Sequence, residues 1–346
     1  MASTIREVAR QAEVSIATVS RALNTPHLVA ENTRNRVVDT ALRLGYPSRR
    51  PRSAGAGAEA GAGAGAGAPA AGRVGFVGAV LPDLANPFYP AVLYGIRSES
   101  VPAGQHVLSL DAAEDPAVEA DLIRMIAGQV DSLVLLSSRL PDDRLRALSI
   151  PGRTVLFNRL TPGLPGVVVD YLDGMRRVMA HLVSLGHRRI GYAGGPRASF
   201  ADAERRRGLA VSGHAAGLRV VDLGPYPPYF SSGARIAERA LRESVTAVIA
   251  FNDLMALGTL VRLRELRIDV PGRISVAGFD GIPLAAAGTP RLTTVVPPLG
   301  RAGRTAMALL RAATGTSAAA AKAAPRWCVL PVRLMVGTST APPPGL

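Results

Sequence analysis

The sequence predicts two fold classes in one chain: an all-α helix-turn-helix headpiece at the N-terminus, then a two-lobed α/β core built on two doubly wound parallel sheets. Three observations predict it. Residues 1–52 carry three short amphipathic helical patterns, residues 53–72 are almost wholly glycine and alanine, and residues 73–340 alternate short β-branched runs with helical stretches. At roughly 150 residues per domain, 346 residues allow two or three domains with substantial cores.

In TIREVARQA, Ile5, Val8 and Ala9 share one helical face, with Arg6, Glu7 and Arg10 on the other. After EVS, the stretch IATVSRALN sets Val19 and Leu23 four apart. A third pattern over residues 31–44 turns Val37, Val38, Ala41 and Leu44 inward. Two short helices across a three-residue turn, with a third behind them, make a bundle whose second helix can lie in a major groove. Ser15 ahead of Ile16 reads as an N-cap. Ala17, Thr18 and Ser20 are small enough for close backbone approach, and Arg21 is long enough to reach a guanine edge or a phosphate. Periodicity alone also fits a packing module that binds nothing.

Charge separates the two readings only in part. The chain has 40 basic and 26 acidic residues, a formal charge of +14 and a pI near 11.1, which points to a polyanionic partner. Only Lys322 among the basic residues is lysine, however, and the heavy use of Arg, Ala, Gly and Pro is that of a GC-rich genome. Position is more telling: residues 1–52 hold nine arginines against Glu7, Glu13, Glu31 and Asp39.

In SAGAGAEAGAGAGAGAPAAG, residues 53–72, seventeen of twenty residues are Gly or Ala, so the segment cannot bury enough apolar surface to offset its ordering. It reads as a flexible linker spanning roughly 25 Å root-mean-square. Beyond it, strands are expected at 74–81, 106–110, 132–136, 154–157, 189–193, 245–251 and 274–279, and a late one around Trp327 and Cys328. Helices are expected near 88–100, 116–128, 172–185, 201–217, 233–243 and 253–267. Gly186 and Pro271 punctuate this series. About 270 residues exceed one doubly wound unit, so two lobes with a cleft follow. Ligands in such sheets sit beyond the carboxyl ends of strands, here the loops after Leu81, Phe157, Ala193, Phe251 and Phe279.

Enzyme chemistry finds little support. His181 and His187 lie six apart across a helix end, the wrong offset for two metal ligands on one face, and read as structural. A single cysteine, Cys328, excludes an intrachain disulfide and a cysteine-built metal site. The glycines of GYAGGP and GFVGAV do not form a phosphate-cradling turn. No cofactor is expected. The charged, periodic N-terminus lacks a signal-peptide core and no run of about eighteen apolar residues follows, so a soluble, cytoplasmic protein without membrane contact is expected.

TIREVARQAEVSIATVSRALN, with TRNRVVDTALRLGYPS after it, resembles the DNA-binding headpiece of the LacI/GalR (lactose-repressor) family of bacterial transcription regulators. The likeness continues through VLPDLANPFYPAVLYGI, HLVSLGHRRIGYAGGP, FNDLMALG, ISVAGFDGIPLA, LTTVVPP and LPVRLMVGTST, and spares only residues 53–72. It implies a homodimer that reads a palindromic operator in double-stranded DNA, with a periplasmic-binding-protein-like core that holds a small effector, a sugar or sugar phosphate, without transforming it. It also implies a repressor of carbohydrate uptake or catabolism genes. A solute-binding or catalytic α/β protein with an N-terminal bundle for protein contacts is the alternative.

Carried over by motif, base reading falls to Ile16, Ala17 and Arg21, and phosphate contact or capping to Thr4, Ser15, Thr18, Ser20, Asn24 and Thr33. Effector contact falls to Phe88, Tyr89, Asn158, Arg159, Asn252 and Asp280, with Ser199 as a further candidate. Aromatic faces can stack on a sugar or base, and Asp280 and Arg159 supply acceptors and donors. Asp253 reads instead as a helix N-terminal charge.

Two departures stand out. The family's hinge helix would fall on YPSRRPRSAGAG, but Pro51 lies inside it and Ala54 replaces the wedging leucine, so no hinge helix is expected there. An effector-reaching arginine is expected at the position of Ala203, whereas the arginines here are Arg197, Arg205, Arg206 and Arg207. The short loop YPPYFSSG leaves open which of Tyr229 and Phe230 enters the cleft.

Overall fold

The computed structural model describes residues 4–24, 29–30, 32–33, 36–37, 40–41, 44, 75–215, 217–314 and 327–345. The chain separates into two compact units, Met1–Ala64 and Gly65–Leu346. The linker at 53–72, the hinge stretch around Pro51 and Ala54, and Val38 lie outside the described residues, as do the side chains of Leu23 and Asn24.

In the first unit, helices α1 (Ile5–Gln11) and α2 (Ile16–Asn24) pack through Val8, Ala9, Ala12, Val19 and Ala22, with Val37 and Ala41 completing the core. The backbone N–H of Thr4 donates to Glu7 Oε2 at 3.1 Å, half of a capping box that starts α1. Ser15 Oγ accepts from the Thr18 N–H at 3.0 Å, the N-cap expected for α2.

The second unit holds two six-stranded sheets. The first lobe is built from β1 (Gly75–Leu81), α3 (Phe88–Ser100), β2 (Gln105–Asp111), α4 (Pro116–Ala127), β3 (Ser132–Leu136), α5 (Asp142–Leu148), β4 (Thr154–Phe157) and β5 (Gly166–Val169). The second follows as α6 (Tyr171–Ser184), β6 (Arg189–Gly194), α7 (Phe200–Ala215), β7 (Arg219–Pro225), α8 (Gly233–Arg242), β8 (Ala247–Ala250), α9 (Asp253–Glu265), β9 (Ser275–Phe279), α10 (Pro283–Ala287) and β10 (Thr293–Val296). The chain then returns to the first lobe as α11 (Leu299–Thr314) and β11 (Trp327–Leu330), and ends in the second as β12 (Arg333–Met335). Strand orders are β11-β5-β4-β3-β1-β2 and β12-β10-β9-β8-β6-β7, all parallel except that β12 runs antiparallel to β10.

The chain therefore crosses between lobes three times, near residues 170, 297 and 331. The Asp170 N–H donates to Leu330 O at 2.9 Å and ties two of the crossings together. Central strands such as β3 and β4 are buried along their whole length, which is why they read as unbroken apolar runs.

The expected strands and helices appear within a few residues of their bounds. β5, β7, β10, β12, α5, α10 and α11 were not among them, and the physical reasons differ. β5 and β10 are only four residues long, and β7 is an edge strand with a mixed burial pattern. α11 carries Gly300 and Gly303 near its start, which weakens its helical signal. Tertiary contact requires both the glycine at 303 and that at Gly95: a Cβ on Gly303 would lie 2.2 Å from Val92 O, and one on Gly95 2.2 Å from Gly300 O. α3 and α11 are thus pressed backbone to backbone. Among the described residues no helix is long and apolar enough to cross a membrane.

Candidate functional site

The exposed surface of α2 begins with an unusual side chain. Ile16 is 46% exposed at the helix N-terminus, Ala17 and Arg21 are exposed beside it, and Ser15 Oγ also bonds Thr18 Oγ1 at 2.9 Å. An apolar contact point, a small residue and a guanidinium thus lie on one helical surface, suited to a methyl group and a polar edge in a groove. Thr4 is exposed, while Ser20 and Thr33 are half-buried.

In the core, the carboxyl ends of β1, β3, β4, β6, β8 and β9 surround one small cavity between the lobes. From the first lobe come Asn86, Phe88, Tyr89, Ser137, Arg139 and Asn158; Tyr171 stands at the crossing; from the second lobe come Ser199, Ala201, Arg205, Phe251 and Asp280. Its free volume is about 20 Å³, room for about one water molecule, so a larger ligand enters by parting the lobes or displacing side chains.

Phe88 packs edge-on against Tyr89 with ring centroids 5.1 Å apart and stacks on Phe157 at 5.9 Å. Each polar atom of Asn158 makes one hydrogen bond: Nδ2 donates to the Tyr171 hydroxyl at 2.6 Å and Oδ1 accepts from the Val169 N–H at 3.2 Å. Arg139 donates from Nε and Nη2 to Glu114 at 3.0 and 3.2 Å, and from Nη1 to Ser137 O at 3.0 Å. Burial pushes the Glu114 and Glu119 carboxyls up; Arg139 pulls Glu114 back, and Ser138 opposes the shift at Glu119. Burial also holds the hydroxyls of Tyr89 and Tyr171 above the ordinary phenol range.

Arg205 lies on the opposite wall. It is 1% exposed, and its central carbon sits 4.3, 4.4 and 4.5 Å from the ring centroids of Tyr171, Phe251 and Phe279. Nη2 reaches Asp280 Oδ1 at 3.4 Å, while Nε and Nη1 are buried without a hydrogen-bond partner. Burial pushes the Asp280 carboxyl up to about 7, against the pull of Arg205.

Five of the seven expected cleft residues, Phe88, Tyr89, Asn158, Ser199 and Asp280, thus meet at the cavity, and two do not. Arg159 is drawn away by Asp142, bonded at 2.7 Å, and by Leu140 O at 3.2 Å. Asn252 is spent on backbone: its Oδ1 caps α9 at the Met255 N–H, and its Nδ2 donates to Pro228 O, each at 2.9 Å. No arginine stands at Ala203, but Arg205, two residues beyond it, lines the cavity. Ala201 and Arg205, four apart on α7, both face the cavity, whereas Ala203 is exposed. Tyr229 and Phe230 remain partly exposed outside the cavity lining.

Ser137 and Arg139 follow β3, a strand end that the sequence reading passed over. Asp253 is buried and pinned by Thr294 Oγ1 at 2.6 Å and the Ile282 N–H at 2.9 Å, outside the cavity. His187 bonds Thr246 Oγ1, Ser275 Oγ and Ala341 O, and His181 bonds Thr340 Oγ1, so both hold the C-terminal segment in place.

Comparison with known proteins matches residues 4–48 to a model described as "Bacterial regulatory proteins, lacI family", and residues 179–340 to one described as "Periplasmic binding protein-like domain". The HTH-type transcriptional regulator GalS of Salmonella typhimurium is 34% identical over 90% of this chain and 91% of its own length. The HTH-type transcriptional repressor CytR of Escherichia coli K12 is 32% identical over 89% of each chain. Among solved structures, a complex of the transcriptional regulator CelR with cellobiose superposes with a TM-score of 0.67 at 27% identity, covering 97% of this chain and 99% of the other.

Proposed function

The chain belongs to the lacI family of bacterial regulatory proteins and is a DNA-binding transcriptional regulator rather than an enzyme, and from that premise we propose that it represses carbohydrate uptake or catabolism genes under control of a sugar-like effector. The observation that carries the effector reading is the cavity between the lobes, with aromatic walls and a buried arginine whose donors are unspent. Phe88, Tyr89, Asn158, Ser199 and Asp280 hold the effector, joined by Arg205. A relative's structure contains cellobiose, which supports a carbohydrate in this class of cleft.

On DNA, Ile16 and Ala17 offer apolar contact, as to a thymine methyl, and Arg21 a polar one. Thr4, Ser15, Thr18, Ser20, Asn24 and Thr33 position the backbone. The protein acts as a homodimer on a palindromic operator, organised as a headpiece over 1–52, a tether over 53–72 and a core over 73–340. Genomic footprinting of the bound protein, with transcript levels in a deletion strain, tests the reading. Bound sites upstream of sugar transport or catabolic genes that rise on deletion support it; a fall on deletion means an activator, and sites away from such genes overturn the carbohydrate assignment.

A further inference from the structure

Residues 337–341, GTSTA, follow β12 and cross the second lobe at the N-terminal ends of β9 and β10. They carry no large apolar side chain, and hydrogen bonds hold them instead. Ser339 is fully buried: its carbonyl accepts from the Val276 N–H at 2.9 Å, and its hydroxyl accepts from the Thr293 N–H at 2.9 Å and donates to Val276 O at 2.6 Å. The Thr338 and Ser339 N–H groups both donate to Arg291 O, at 2.8 and 2.9 Å. A segment held in this way opens at a cost set by a few polar contacts, so a change in one of those groups is enough to release it.

Two histidines close the far end. His181 Nε2 bonds Thr340 Oγ1 at 2.9 Å. His187 is fully buried, and its contacts fix where its proton sits. Ala341 O, 3.0 Å from Nε2, can only accept, so Nε2 carries the hydrogen. Nδ1, 2.9 Å from Thr246 Oγ1, is then left to accept from that hydroxyl. Ser275 Oγ completes the clasp: it accepts from the Ala341 N–H and donates to Ala341 O, each at 3.1 Å.

The neutral ring of His187 fits these partners, and its charged form has no anion to meet. From the strap, from β9 and from Thr246 ahead of β8 the ring receives hydroxyls and a carbonyl. His181 on α6 repels it when both are protonated, Arg188 donates to the His187 carbonyl at 3.2 Å, and Arg189 pairs with Glu243. Burial accordingly holds both rings below the ordinary imidazole range; at His187 the Ala341 carbonyl opposes that shift and His181 adds to it.

We propose that residues 337–341 form an acid-released strap: the neutral ring of His187 locks them onto the second lobe, and uptake of a proton by that ring frees them. The strap continues β12, a three-residue edge strand that receives the chain at its third crossing between lobes, so release removes the anchor beyond that crossing. With the strap off, water reaches the ring and its proton affinity returns to the ordinary value near 6.5. Closure and protonation exclude one another. The folded value lies below the open one, so the strap's contribution is complete above about pH 6.5 and is lost as pH falls.

Hydrogen exchange of the full-length protein, corrected for the intrinsic pH dependence of exchange, tests it. The peptide covering the strap is expected to lose about tenfold in protection between about pH 7.5 and about pH 5.5, as one linked proton requires, while peptides from β3 and β4 lose none. His187→Gln keeps a donor for Ala341 O and takes up no proton, so its strap is expected to stay protected across that range. In His181→Gln the wild-type loss is expected to persist.

Protection that does not fall in the wild type, or that falls equally in His187→Gln, overturns the proposal. A loss abolished by His181→Gln alone overturns it too, since the trigger is then the other ring. Should the His187 variant unfold or leave the strap open at every pH, the ring-nitrogen shifts of His187 in the wild type decide. An Nε2–H tautomer whose titration coincides with the loss of protection upholds the proposal; titration without that loss, or loss without titration, overturns it.

Discussion

The two lobes line one cavity with opposite kinds of polar side chain. On the first-lobe wall Arg139 is engaged by Glu114 and Ser137 O, and Asn158 by Tyr171 and Val169, while Arg159, outside the cavity lining, pairs with Asp142 and leaves its buried Nε without a partner. On the second-lobe wall Arg205 keeps two buried donors unpaired, and the Asp280 carboxyl is destabilised as an anion by burial. The difference separates support from recognition. Internally satisfied groups hold the shape of a site, and unsatisfied ones are what a ligand can improve.

The strongest way to break the comparison is to remove the partner on the satisfied side. Glu114→Ala leaves the Arg139 guanidinium buried and unpaired, and is expected to cost about 3–5 kcal/mol of core stability. Urea unfolding of the core reads this directly; an unchanged midpoint would mean that Arg139 is hydrated and not a structural pair.

Asp280 sharpens the comparison through pH. Its folded value near 7 lies above the unfolded 3.8, so the folded state holds the proton more tightly. Stability from this group is complete below about pH 4 and is lost as pH rises through 7, by at most about 4 kcal/mol. Asp280→Asn is expected to flatten that part of the stability curve and to leave the variant more stable than wild type at pH 8. Parallel curves for the two proteins between pH 4 and 8 would show that the carboxyl is not held neutral by burial.

A control on shape alone is Gly303→Ala. The added Cβ meets Val92 O, so α3 and α11 must separate, at a cost of about 1–3 kcal/mol measured by thermal unfolding. The smallest effect is expected at Arg205. Replacing it with Met removes a poorly paired buried charge from among three rings, and unfolding free energy at pH 7 should change by about 1 kcal/mol or less. A loss as large as that of Glu114→Ala would mean that both walls are structural and the contrast between them is false.

Much of this was legible in the chain. The loops after Leu81, Phe157, Ala193, Phe251 and Phe279 all carry or adjoin cavity residues, because strand ends can be read from short β-branched runs and parallel sheets present ligands at one end. Missing from that set was the loop after β3. SSRLPDD has no aromatic residue, and Arg139 turns inward only because Glu114 and the Arg139 N–H contact with Glu119 place it there. Arg159 looked equally suited from its strand end, and Asp142 took it. Asn252 was a reasonable amide donor until the helix after it needed a cap.

By itself the amino-acid order determined the headpiece, the composition break at residues 53–72, the alternating core and the end of the sheets where a cleft opens. Those depend on helical and strand periodicity and on local sterics, which neighbours a few residues apart settle. Only tertiary structure decided which arginine faces the cavity unpaired. Arg139 finds Glu114 across 25 residues, Arg159 finds Asp142 across 17, and Arg205 finds only a long contact with Asp280 across 75. Charge pairing acts through space, so which donors are spent and which remain for a ligand is set when each lobe folds and brings distant strand ends together.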